Sequence, residues 1–127
     1  MTYEQLLIET DKNGLITKEK PLRANKGRIK GNKIAIKNDM TETEKKCILA
    51  EELGHYYTGT GNILGKDTMS IKQEAQGRFF AYNKLIGLSG LISAYKAGCK
   101  SLCDISEHLE VTESFLLEAL DKYKQKY

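Results

Sequence analysis

The sequence is sparing with histidine, cysteine and proline. It has two histidines, three cysteines and one proline in 127 residues, and each shortage excludes something. Three cysteines, Cys47, Cys99 and Cys103, cannot all pair, which argues against a secreted disulfide scaffold. Cys99 and Cys103 have three residues between them, not the two of a zinc knuckle or redox motif, so all three are expected as reduced, buried, small hydrophobes. No apolar run approaches the roughly 20 residues that span a bilayer, so no membrane segment is expected. The opening MTYEQLLIETDKNG lacks the basic start and apolar stretch of a secretory signal, and the expectation is a cytoplasmic protein. Excess charge is small too: 20 Lys and Arg against 17 Asp and Glu leave +3, too little to imply nucleic acid.

What is present is enough for a core. The chain is 40% hydrophobic and 29% charged, a composition that folds, and its length suits one domain burying about two-thirds of its unfolded surface. The expected organisation is a single domain over 1–127, with a helix and small sheet in 1–40, the central helices in 41–87 and a helical cap in 88–127. Charge is uneven. From Lys18 to Lys37 there are eight Lys or Arg and one Glu, whereas Glu42 to Glu52 turns acidic. A solvated loop and strand face is the simpler reading of the basic stretch, and a docking surface for an acidic partner the sharper one.

Local signals fill in the elements. Thr2-Tyr3-Glu4-Gln5 forms a capping box opening a helix that Asn13-Gly14 stops. Leu15-Ile16-Thr17 is a strand candidate. Arg28-Ile29-Lys30 and Lys33-Ile34-Ala35-Ile36-Lys37 alternate polar and apolar around Gly31-Asn32, a two-residue hairpin turn. A three-stranded antiparallel sheet is expected. Thr41-Glu42-Thr43-Glu44 opens a helix running to about Tyr57, followed by a loop with Gly59, Gly61 and Gly65. Ser70-Ile71-Lys72-Gln73 opens a helix through Leu85, broken at Gly87 to Gly90. Shorter helices are expected over Leu91–Lys96, Ser101–Leu109 and Thr112 to about Tyr123.

The chemistry concentrates in Glu51-Glu52-Leu53-Gly54-His55. Glu51 and His55, four apart, share one helical face, and Glu52 lies about 100° around the helix beside it. This is the spacing of H-E-x-x-H, in which residues i and i+4 grip zinc and the intervening Glu is general base; here the first position is Glu51. Taken alone E-E-x-x-H is a weak signal and a solvated acidic patch explains it as well. Gly54 argues for more, because mid-helix glycine costs about 1 kcal/mol relative to alanine and implies a close approach. A third ligand from a following element is best supplied by Glu74, next to small Ala75 and Gly77; a first-turn Glu stabilising the helix dipole is the equal alternative.

Three blocks of sequence together resemble the ImmA/IrrE-type metallopeptidases of phage and mobile elements. They are Lys33 to Tyr57, Lys72-Gln73-Glu74-Ala75 with the aromatic run to Ile86, and Leu109 to Leu116. The resemblance implies a zincin-like α+β fold: a small N-terminal sheet packed on an active-site helix, followed by several helices. It implies a metal-dependent endopeptidase acting on a helix-turn-helix repressor, with His55 and Glu74 as zinc ligands, Glu52 as general base, and Glu51 where the family's first ligand histidine stands.

That last substitution changes the chemistry. Zn²⁺ with two histidines and one glutamate carries about +1; with His55, Glu51 and Glu74 the site is neutral, a weaker Lewis acid for activating water. Oxygen in place of nitrogen also favours harder ions such as Mn²⁺. The expected cofactor is therefore Zn²⁺, with Mn²⁺, another divalent ion or no metal as the alternatives. The expected activity is slow or metal-shifted cleavage, or partner binding without cleavage. Converging Glu51, Glu52 and Glu74 would repel, so one should hold a proton near neutrality.

Other readings are weaker. His108 is expected at a helix C-terminus or surface, and Tyr56 and Tyr57 in the core. The Lys33–Lys37 strand is the candidate edge that pairs with extended substrate. Ser101 to Tyr123 also fits a helix-turn-helix, but its second helix would present Glu113, Ser114, Glu118 and Asp121 to DNA, and carboxylates oppose phosphate contact. A protein partner is therefore expected, and neither a membrane nor direct nucleic-acid contact.

Overall fold

The computed structural model describes residues 1–59 and 71–127. The element order is α1 (Tyr3–Lys12), β1 (Ile16–Lys20), β2 (Gly27–Lys30), β3 (Lys33–Lys37), α2 (Glu42–Tyr57), α3 (Ile71–Leu85), α4 (Gly87–Lys96), α5 (Leu102–Leu109) and α6 (Glu113–Lys126). This is an α+β fold. The Thr2 box closes both ways: its hydroxyl accepts from the Gln5 N–H and the Gln5 side chain accepts from the Thr2 N–H. Gly14, at φ +81°, turns the chain into β1. Thr41 caps α2 by accepting from the Glu44 N–H. The Ser70 box and most of the glycine loop lie outside the described residues.

The sheet departs from expectation in one respect: it is mixed, with order β1-β3-β2. β2 and β3 form the antiparallel hairpin through Gly31, at φ +60°, but β1 runs parallel to β3. Two features dictate this. Pro21 directly after β1 cannot take the positive φ of a two-residue hairpin turn; Leu22 N–H bonds back to the Lys20 carbonyl around it, and residues 21–26 carry the chain across to the far edge. And β3, with both Ile34 and Ile36 buried, is the strand best suited to the middle, while the Lys-rich strands take the edges. β3 is therefore paired on both sides and is not an edge open to substrate. The edge beside α2 is β2.

One face of the sheet packs under α1 and α2. Ile34 and Ile36 join Leu6, Leu15, Leu49 and Leu53 in a core that extends through Tyr82 to Phe115 and Leu116 of α6. α4 begins four residues before its expected start: positive φ at Gly87 starts the turn, and Gly90 lies inside the helix against Leu109. Lys46 is 2% exposed, and its ammonium donates to the Met1 carbonyl (2.9 Å) and the Leu109 carbonyl (3.2 Å), tying the N-terminus to the end of α5. Of the cysteines only Cys47 is buried; Cys99 is half-buried and Cys103 exposed, because both sit on the outer turn and helix α5 rather than on a core-facing stripe. Tyr57 is exposed against Phe80 rather than in the core, being past the last core-facing turn of α2. Among the described residues no helix is long and apolar enough to cross a membrane.

Candidate metal centre

The site is built where α2 crosses α3. The crossing depends on two glycines. A Cβ on Gly54 would overlap the Gly77 carbonyl, and one on Gly77 would overlap the His55 ring. Small residues at both positions let the backbones approach closely, which answers why α2 tolerates glycine. The approach places the His55 ring, 1% exposed, against α3 one turn from Glu74. His55 Nε2 and Glu74 Oε2 are 3.5 Å apart.

Glu52 lies three residues before His55, on a neighbouring position of the same helix face, and is 2% exposed. It faces the sheet as well. A Cβ on Gly27 of β2 would come within 3.2 Å of Glu52 Oε1 and still nearer Ile48, so the β2 edge is held close by glycine. Sequence reading gave Gly27 no role; its signal was a glycine at the start of a strand, where backbone approach is the usual cause.

Glu51 sits apart from the pair. It lines a cavity of about 470 Å³ between the N-terminal halves of α2 and α6, together with Thr41, Glu44, Thr112 and Glu118. Its carboxyl is pushed up to about 7. Burial is the main cause; Glu118, Glu52 and Glu74 add repulsion and the Arg78 guanidinium opposes it. The expectation was a proton held through repulsion among three converging glutamates; here the first cause is the burial of Glu51 itself.

Arg78 is the residue that sequence reading missed. Its Nε donates to Glu74 Oε1 at 3.2 Å from one turn further along α3, and its charge acts on Glu51. The available signal was the spacing of Glu74 and Arg78, the helical ion-pair distance. Tyr82, a further turn on, donates to Glu118 of α6 at 3.0 Å; burial and that carboxylate raise its phenol well above the ordinary value. A carboxylate and arginine lattice thus joins α2, α3 and α6.

Zinc binds nitrogen at 2.0–2.1 Å and carboxylate oxygen at 2.0–2.2 Å, so two tetrahedral ligands stand about 3.4 Å apart. The His55–Glu74 separation of 3.5 Å fits that pair. Among the described residues, however, no group of three His, Cys, Asp or Glu side chains is assembled around one point. The structure brings together His55 and Glu74, sets Glu52 beside His55, and leaves Glu51 one turn away in its own cavity.

Residues 11–121 match the family model Peptidase_M78, IrrE N-terminal-like domain. The chain belongs to this family. No curated protein and no solved structure matches it. The Peptidase_M78 match bears out the ImmA/IrrE resemblance read from the three sequence blocks, and it supports a metallopeptidase-like function for the chain. His108 is not part of that crossing: it ends α5, with Nε2 2.9 Å from Ser93 Oγ. Glu113, Ser114, Glu118 and Asp121 are exposed on α6, an acidic face ill suited to a DNA-reading helix.

Proposed function

We propose that this member of the Peptidase_M78 family is a metal-dependent endopeptidase whose protein target is a helix-turn-helix repressor of a phage or mobile element. The observation that carries the reading is the His55–Glu74 pair at ligand spacing with Glu52 buried beside it. In this reading His55 and Glu74 hold the ion, and Glu51, one turn back on α2, turns out of its cavity to become the third ligand. A zinc ion so held supplies a Lewis acid and makes water nucleophilic near neutral pH.

The chain's own residues do the rest. Glu52 takes the proton of the attacking water and returns it to the departing amine. Its buried position fixes the carboxylate and keeps bulk water from competing for that proton. For Glu51 to act as a ligand it gives up its own proton, so metal uptake at neutral pH releases protons. Calorimetric titration with Zn²⁺ in buffers of different ionisation enthalpy measures that release, and proton-independent uptake would count against Glu51 as ligand.

A second reading has its own support: an adaptor that binds the repressor without cutting it. Arg78 already occupies Glu74 Oε1, and no three-ligand group is assembled among the described residues. Glu52→Gln separates the two. In the peptidase it abolishes repressor cleavage while metal remains; in the adaptor it changes nothing.

A further inference from the structure

The strand register sorts the basic stretch in a way that composition conceals. Partners Ile16↔Lys33, Lys18↔Ala35 and Lys20↔Lys37 on one side of β3, and Arg28↔Ala35 and Lys30↔Lys33 on the other, share the sheet face turned away from α2. That face carries Lys18, Lys20, Arg28, Lys30, Lys33 and Lys37 ringed around Ala35, and no strand residue on it is acidic. The sheet's one carboxylate, Glu19, is paired with Ile36 on the opposite face. There it accepts from the Tyr3 hydroxyl at 3.0 Å and from Lys45 at 2.7 Å. With these six cations set aside, the remaining chain has 14 basic and 17 acidic side chains. The slight net charge is thus a basic sheet face set against an acidic remainder.

An ordinary solvated face intersperses both signs. Here Lys20 stands directly opposite Lys37, and Lys30 opposite Lys33, and like charges so placed destabilise a sheet. We infer that this outer face is a docking surface for the phosphate backbone of double-stranded nucleic acid.

Three properties of the face select that partner. Five of its six cations are lysines, which are depleted in protein–protein interfaces but suit phosphate as mobile point charges. It has no aromatic side chain, so neither stacking of single-stranded bases nor anchoring in a lipid surface is provided for. And the charges form a two-dimensional array, about 4.8 Å apart between strands and about 6.6 Å apart along them. An extended acidic peptide would cover a single row. About 13 Å of strand spans a length of duplex carrying roughly eight phosphates, enough to engage all six cations. With no amide side chain on the strands' outer positions to read base edges, contact is independent of sequence. The surface is independent of the peptidase reading, and stands or falls separately.

Fluorescence anisotropy with a labelled 20-base-pair duplex tests it on the whole chain. Expected is binding that loses about a thousandfold between 50 and 200 mM salt, a log–log slope near −5 for six phosphates, with equal affinity for unrelated sequences. Lys20→Gln and Lys33→Gln each reduce the slope by about one, and their unfolding midpoints stay level or rise because a Lys–Lys opposition is relieved. Lys122→Gln and Lys124→Gln on α6 leave binding unchanged. Absence of binding at 50 mM salt overturns the inference. So does tighter binding to polyglutamate or phosphatidylserine vesicles than to duplex, or loss of binding through the α6 variants instead of the sheet variants.

Discussion

Gly54 of α2 and Gly77 of α3 meet backbone to backbone, and the meeting sets how far the His55 ring lies from Glu74. A Cβ on Gly54 would fall 2.8 Å from the Gly77 carbonyl carbon and overlap its oxygen. No rotamer relieves a clash with backbone, so the helices must move apart. Two opposing effects then compete. Alanine favours the helix by about 1 kcal/mol, whereas overpacking at a close crossing costs typically 1–3 kcal/mol and shifts the backbone.

Gly54→Ala is therefore expected to lower stability by about 1–2 kcal/mol in urea unfolding, and Gly77→Ala to do the same while displacing the His55 ring. A variant more stable than the parent would show that the crossing is not held by close contact.

Glu51 gives stability a pH dependence. Its folded value of about 7 lies above the ordinary 4.5, so between these limits the folded chain keeps a proton that the unfolded chain has lost. The contribution to stability is complete below about pH 4.5 and is lost as pH rises through 7, a fall of about 3 kcal/mol. With a chelator present, the parent should lose stability from pH 5 to 8 relative to Glu51→Gln, which stays neutral throughout. Parallel pH profiles for the two proteins would contradict the half-buried, protonated Glu51.

Lys46 acts at a distance from the site. Lys46→Met removes the ammonium that donates to the Met1 and Leu109 carbonyls, and hydrogen bonds from a charged group contribute about 1.5–3 kcal/mol. Stability should fall by that amount. Amide exchange should quicken at Val111, whose N–H bonds the Ser106 carbonyl across the α5–α6 turn. Unchanged exchange there would mean that the turn is held by other contacts.

Much of this was legible in the sequence because it rests on local chemistry. Thr2, Thr41, Ser101 and Thr112 mark helix starts through bonds to N–H groups three residues on, and Gly31 marks the hairpin. Glu52 and His55 were singled out from their spacing, Glu74 from its place beside small Ala75 and Gly77 on the following helix, and Gly54 from the cost of glycine in a helix. Long-range choices were not legible. The parallel pairing of β1 depends on β3 taking the centre of the sheet, which no local residue encodes. The Arg78 interaction with Glu51 needs α3 folded against α2, and the placement of Glu51 in a cavity depends on α6, more than 60 residues away. The sheet's basic face was hidden for the same reason, since alternation reveals a face only once register is known.

In the proposed peptidase α2 and α3 together hold one metal ion. Metal content of the purified protein after incubation with Zn²⁺ and desalting tests it most directly, read alongside cleavage of the repressor. Expected is about one ion per chain in the parent and in Glu52→Gln, with cleavage lost in Glu52→Gln, and little metal in His55→Ala or Glu74→Ala. Full metal content in His55→Ala, or a parent that retains none, would contradict it.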